Sequence, residues 1–152
     1  MKIIAKNKRA RYDYEVKDIL VAGIVLSGAE VKSVKAGHAS LKGSFVTIRE
    51  SEAYLTNAHI NPYKFASNQA SYDPTQSRKL LLHRKQIDTL LAQIKSEGMT
   101  AVPLAIGLER GLVKIEVGVG RGKKRHDKRE VIKKRDMIRD ANLEIKSGKR
   151  AK

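Results

Sequence analysis

Gly118-Val119-Gly120-Arg121-Gly122-Lys123-Lys124-Arg125-His126-Asp127-Lys128-Arg129 divides this chain into two unlike parts. Ahead of it lie short apolar segments separated by turns, which can pack. Behind it lies a basic segment with little to bury. Within it, glycines alternate at 118, 120 and 122, and six of the seven positions from Lys123 to Arg129 carry Lys, Arg or His. Glycine tolerates a close backbone approach that a Cβ resists, so the first half reads as the last strand of a folded body. The second half reads as an arm that binds phosphate. A merely solvating charged tail is the competing reading, since charge runs often do no more than keep a chain in water.

Working back from this stretch, residues 100–106 and 112–117 form a hairpin around Glu109-Arg110-Gly111. Strand alternation puts Val113, Ile115 and Val117 on one face and Lys114 and Glu116 on the other. Pro103 marks an edge or a bulge. Ile87, Leu90, Leu91 and Ile94 fall at helical spacing within 85–97, and Gly98 follows as a C-cap. Residues 78–82 return to the core as a strand. Residues 61–77, with Pro62, Pro74 and many polar residues, form a long loop of the functional or mobile kind. The strands 45–48 and 53–56 make a second hairpin across 50–52. Residues 28–37 are a short helix bracketed by glycines. Residues 19–26 are a strand buried on both faces or crossing between environments, and Gly23 is its bend or bulge. Residues 1–13 read as a basic arm.

The expected fold is mainly β with short helices: an oligonucleotide-binding-like antiparallel β-barrel of about six strands, closed or partly open, plus a basic C-terminal tail. The division is residues 1–123 as an RNA-binding body with a basic N-terminal arm, and 124–152 as the tail.

Charge narrows the class of partner. The 152 residues carry a formal net charge of +16, and residues 121–152 alone hold 14 Lys and Arg against 5 Asp and Glu. Such a density repels itself unless a polyanion neutralises it, and nucleic acid does so with release of counterions. A membrane surface would call for an amphipathic helix with aromatic or Leu anchors, and the tail has no aromatic residue. No apolar run is long enough to span a bilayer. The apolar segment near the start is too short for a signal peptide, so the expected compartment is the cytoplasm. There is no cysteine, which excludes disulfides and thiolate metal sites.

On a helical wheel the tail sorts into three stripes: Lys128, Arg135, Arg139 and Lys146; Asp136, Asp140 and Glu144; Val131, Ile138 and Ile145. The acidic stripe sets like charges four residues apart, which disfavours an isolated helix. The tail is therefore expected to be disordered when free and helical once its basic stripe meets phosphates. A helix packed on the body by its apolar stripe is the alternative.

Enzymatic motifs fail. The glycines fit neither the phosphate-binding loop nor the dinucleotide pattern. His38, His59, His83 and His126 lack metal-site spacing, and no pair of carboxylates is brought together by spacing. The expectation is no catalysis, no cofactor and no metal. His59 and His83 read as satisfied body histidines. His126, among cations, suits stacking on a base. Glu30 reads either as a surface helix residue or as an acceptor for a base edge or ribose hydroxyl. Charge and fold leave open a ribosomal or initiation-type protein using the same barrel, and an RNA-processing enzyme.

Asn7-Lys8-Arg9-Ala10-Arg11, Gly28-Ala29-Glu30-Val31-Lys32-Ser33, Asn57-Ala58-His59-Ile60, Asp73-Pro74, residues 78–82 and Gly122-Lys123-Lys124-Arg125-His126-Asp127-Lys128-Arg129 occur in an order that closely resembles the small protein B family of SsrA-binding proteins. The resemblance runs from about Asn7 to Arg139. It implies a monomeric, non-catalytic, cytoplasmic RNA-binding protein with an oligonucleotide-binding-like barrel. Its partners would be transfer-messenger RNA and the ribosome, through 16S rRNA of the small subunit, for trans-translation and ribosome rescue. Carried over by position, Asn7, Arg11, Tyr12, Glu30, Lys32, Leu81, Lys114, Lys123 and Lys124 would bind the tRNA-like domain. His126, Asp127, Lys128, Arg129, Arg135 and Arg139 would serve the decoding centre and the empty message channel. Tyr12 departs from the pattern, which commonly has His there. A tyrosine can still stack, but it cannot play an imidazolium's part.

Overall fold

The computed structural model describes residues 1–66 and 69–123. In chain order its elements are β1 (Lys2–Lys6), α1 (Lys8–Asp13), β2 (Tyr14–Ile24), α2 (Gly28–Lys35), β3 (Ala39–Ser40), β4 (Phe45–Arg49), β5 (Glu52–Thr56), β6 (His59–Ile60), a 3-10 turn (Gln69–Ser71), β7 (Arg78–Leu81), α3 (Arg84–Glu97), β8 (Thr100–Glu109) and β9 (Leu112–Gly122). Seven strands form one antiparallel sheet in the order β1-β8-β9-β2-β7-β5-β4, and β3 pairs with β6. The hydrogen-bond ladder is open, with β1 and β4 as its edges. Both edges nevertheless pack on one core: Ile4 and Ala5 from β1, Val46 and Ile48 from β4. The sheet thus curls around a single apolar centre as an oligonucleotide-binding-like body does, without closing.

The centre is built from alternation. Val113, Ile115, Val117 and Val119 of β9 point inward, as do Ala22 and Ile24 of β2 and Leu80 of β7. In β8 the register slips between Pro103 and Ala105. That bulge changes the parity of the strand, so Ala101 and Ile106 both reach the main core while Val102 and Leu104 face the other side. There they join Ala10 of α1 in a second small cluster, flanked by Tyr14 and Val16. One end of the main core is covered by α3, whose Ile87 and Leu90 are buried. Gly98 ends that helix in the left-handed conformation, φ 65°.

The alternating glycines of β9 have a steric reason. A Cβ at Gly118 would sit 2.8 Å from Leu104 Cδ1, and one at Gly120 would overlap the Glu15 backbone of β2. Side chains there would force β9 off the second cluster or off β2.

Three expectations need correction. Residues 1–13 are a strand and a helix, because Ile4 and Ala5 supply apolar surface to the core and β8 offers a free edge. The strand read at 19–26 begins at Tyr14, and it is one-sided: Ile19 and Val21 are about half exposed, 49% and 48%. Its bulge lies between Val16 and Asp18, whereas Gly23 pairs regularly with Leu81 and Lys114. His59, which opens β6, and His83, the N-cap of α3, are both exposed and are not satisfied barrel histidines.

Candidate nucleic-acid interface

The outward face of β7, β2 and β9 is apolar and basic together. Register places Leu81 on one side of Gly23 and Lys114 on the other. A Cβ at Gly23 would lie 3.3 Å from Leu81 Cβ, so Leu81 leans over this strand. Ile19, Val21 and the 55% exposed Leu81 make an apolar strip with the half-buried Lys114 beside it. Exposed aliphatic side chains next to a cation suit a sugar or base face joined to a phosphate.

At the far side of the same face sits α1. Asn7 is its N-cap: Oδ1 accepts from the Ala10 N–H at 3.3 Å, while Nδ2 donates to the Pro103 carbonyl at 2.9 Å. Asn7 therefore fastens α1 to the bulge of β8. The Arg9 guanidinium lies over the Tyr12 ring, 4.6 Å from its centroid. Arg11 is exposed in the last turn. The structure thus brings Asn7, Arg11 and Tyr12 together on one short helix, and Leu81 with Lys114 on the sheet.

Glu30 is placed otherwise than expected. It is 4% exposed, inside the body. It occupies N3 of α2 and completes a capping box: the Glu30 N–H donates to Ser27 Oγ, and the Ser27 N–H donates to Glu30 Oε1 at 3.0 Å. Its Oε2 receives Arg78 Nε at 2.7 Å and Gln76 Nε2 at 3.2 Å, and lies 3.0 Å from the Tyr72 hydroxyl. Arg78, 3% exposed, also donates to the carbonyls of Ala58 and Pro74 and to the Tyr72 oxygen. Burial pushes the Glu30 pKa up, but the Ser27 amide, Arg78 and Gln76 outweigh it, so the carboxyl is held below its ordinary value. Burial, together with the Glu30 charge and hydrogen bond, raises the Tyr72 phenol to about 12. The pair joins α2 to β7 and pins residues 72–76 between them. Neither reading of Glu30 from sequence foresaw a buried ion pair, since its partner stands 48 positions away.

Lys32, on the same helix, is exposed, and its Nζ lies 5.5 Å from the Tyr63 ring. Lys123 directly follows β9 and is half-buried. Lys124, His126, Asp127, Lys128, Arg129, Arg135 and Arg139, and with them the expected order of the tail, lie outside the described residues. Sequence reasoning passed over Arg78 and Tyr72, and over Tyr63 and Phe65. For Arg78 a signal existed: a cation opening an apolar strand, in a chain with an acid inside a short helix. Among the described residues no group of three His, Asp or Glu is placed to hold a metal ion, and no helix is long and apolar enough to cross a membrane.

Residues 4–147 match the model of the family described as SmpB protein. The chain is 46% identical to an SsrA-binding protein of Halalkalibacterium halodurans over 149 residues, covering 98% of this chain and 96% of that one. It is 47% identical to an SsrA-binding protein of a Synechococcus strain over 146 residues, covering 96% and 95%. In three dimensions it is similar, with TM-score 0.64 and 44% identity, to a chain of the solved structure called "tmRNA-SmpB: a journey to the center of the bacterial ribosome". That likeness covers 84% of this chain and 92% of the other.

Proposed function

This chain belongs to the SmpB protein family, and from that premise we propose how its two parts share the work of an SsrA-binding protein. It binds transfer-messenger RNA and acts with it on the ribosome in trans-translation. The observation that carries the assignment to the body is the Leu81–Gly23–Lys114 strip, an apolar and basic surface beside α1 on a chain of net charge +16. Residues 1–123 form the RNA-binding body. Arg11, Tyr12, Leu81, Lys114 and Lys123 meet the tRNA-like domain from the surface, with Lys124 continuing the contact, whereas Asn7 acts by holding α1 and Glu30 by holding residues 72–76. Lys32 extends the basic surface along α2. The protein works in the cytoplasm, as a monomer and without catalysis of its own.

Residues 124–152 enter the empty message channel. His126 stacks on rRNA at the decoding centre, Asp127, Lys128 and Arg129 accompany it there, and Arg135 and Arg139 follow the channel's phosphates. Truncation after Lys124 tests this division. The shortened protein should keep the melting temperature of the body and lose RNA affinity only in part, because each lost phosphate contact is one share of a salt-dependent total. Tagging of peptides on ribosomes stalled at a message's 3′ end should vanish. Lys128, Arg135 and Arg139 changed together to Gln should approach the same outcome, and Asp136→Gln with Asp140→Gln should not. Normal tagging by the truncated protein, or tagging that falls only in proportion to RNA affinity, refutes the division.

A further inference from the structure

We propose that the cleft between the start of α2 and residues 61–66 and 71–76 binds one unstacked nucleobase of single-stranded RNA. Tyr63 and Phe65 are its stacking platform, and Lys32 and Lys64 are its phosphate contacts. The inference rests on the RNA-binding reading above and adds to it a cleft at the α2 end of the basic surface, where Lys32 stands, and a ligand class.

The cleft has a volume of about 630 Å³ and is lined by Ser27, Glu30, Tyr63, Phe65, Tyr72 and Gln76, among others. This lies within the range of sites for small organic groups, roughly 300–1,000 Å³. Its floor is fixed. Glu30, Arg78 and Tyr72 hold one another by the hydrogen bonds described above, and Arg78 neutralises the buried Glu30 carboxylate. A preorganised floor lowers the ordering cost of binding.

Its wall is aromatic. Phe65 is 73% exposed, more than any other large apolar side chain among the described residues. Its ring meets Tyr63 edge to face, with centroids 5.4 Å apart and planes at 70°, so the two rings are not stacked on each other. An ammonium accompanies each ring: Lys32 Nζ at 5.5 Å from Tyr63 and Lys64 Nζ at 4.9 Å from Phe65. Rings with cations alongside hold an unpaired nucleotide in two ways, the base by stacking and its phosphate by charge. The rim completes the site, since Asn61, Asp73 and Gln76 offer amide and carboxylate groups to a base edge. Asp73 already accepts from the Thr75 N–H and hydroxyl through one oxygen, which sets the turn that carries it. An acidic peptide would suit the lysines, but it would leave the ring faces unused and would meet the Asp73 carboxylate.

The test uses the full chain with Tyr63→Ala and Phe65→Ala combined, and transfer-messenger RNA as the probe. Affinity should fall roughly five-fold to 150-fold, the range that removing a base-stacking ring gives. The dependence of affinity on salt should keep its slope, because no phosphate contact is lost. Lys32→Gln with Lys64→Gln should instead flatten that slope. Wild-type protein is then irradiated with transfer-messenger RNA substituted with 4-thiouridine, a measurement that requires no variant to fold. Crosslinks should map to the peptide containing Tyr63 and Phe65. Unchanged affinity in the aromatic variant, or crosslinks confined to other peptides, overturns the pocket while leaving the RNA-binding reading intact. Failure of the wild type to bind the RNA at all overturns the reading beneath it. A photoreactive residue at position 65 that captures a ribosomal protein and no RNA identifies a protein occupant and also refutes the proposal.

Discussion

Glu30→Ala removes the carboxylate on which the Ser27 amide, the Tyr72 hydroxyl, Gln76 and Arg78 converge. The Arg78 guanidinium, 3% exposed, then keeps its charge without a counterion. Breaking a buried pair from one side costs about 3–5 kcal/mol. The capping box of α2 loses its return bond in the same step, while Arg78 keeps the carbonyls of Ala58 and Pro74. These effects oppose each other, and a loss near 3–4 kcal/mol is expected. At roughly 3–5 °C per kcal/mol, between the values for smaller and larger domains, melting should fall by about 10–20 °C. The assay is far-UV circular dichroism during heating and in urea. A loss under about 1 kcal/mol would refute the ion pair as a structural keystone. Glu30→Leu combined with Arg78→Met should recover most of the stability, because no unpaired charge is left inside. RNA affinity compared at a temperature where wild type and variant are both folded then separates a direct contact by Glu30 from its effect through residues 72–76.

The same group gives the body an acid response. Its folded-state pKa lies below the ordinary 4.5, so its stabilising contribution is complete above that value and disappears as pH falls through the folded pKa. The urea midpoint of the wild type should drop in that acid window more steeply than that of Glu30→Gln, and parallel curves would contradict the assignment. Gly120→Ala forces a Cβ onto the Glu15 backbone and should cost about 3 kcal/mol by denaturant titration. Gly122→Ala, whose nearest neighbour would be Tyr14 Cε1 at 3.9 Å, should stay within about 0.5 kcal/mol of the wild type. Equal effects at the two positions would refute the close-approach argument. Lys114→Ala should weaken transfer-messenger RNA binding by about 1–3 kcal/mol at fixed salt with melting unchanged, and undiminished affinity would remove Lys114 from the interface.

What could be read in the sequence was whatever local patterning controls. Alternation in 112–117 gave the faces of β9, Pro103 gave the bulge, and Ile87, Leu90 and Gly98 gave α3 with its end. Leu81 and Lys114 were each named, but their meeting across Gly23 depends on the pairing of β7, β2 and β9, which no short window contains. β1 was hidden because its lysines dominated the reading, while the edge that accepts it lies about a hundred residues downstream. Glu30 was misplaced for a related reason. A carboxylate is normally at the surface, and only Arg78, brought beside it by the fold, makes its burial tolerable. The Tyr63–Phe65 wall had no periodicity to announce it, since it stands in irregular chain.

The pairing of Lys2 with Leu108, and of Tyr14 with Gly122, also bears on how the protein is made. The strands synthesised first find their partners among the last. At roughly 5–20 residues per second, β1 and β2 emerge several seconds before β8 and β9. During that interval the nascent chain can settle only local pieces, such as the β4–β5 hairpin and α2. The sheet's centre must wait for the β8–β9 hairpin, which inserts between β1 and β2. Non-local pairing of this kind slows folding, and a chain ending before residue 112 has neither β9 nor a complete sheet. Emergence of β9, and not of the chain's first half, therefore sets the moment at which this body can form.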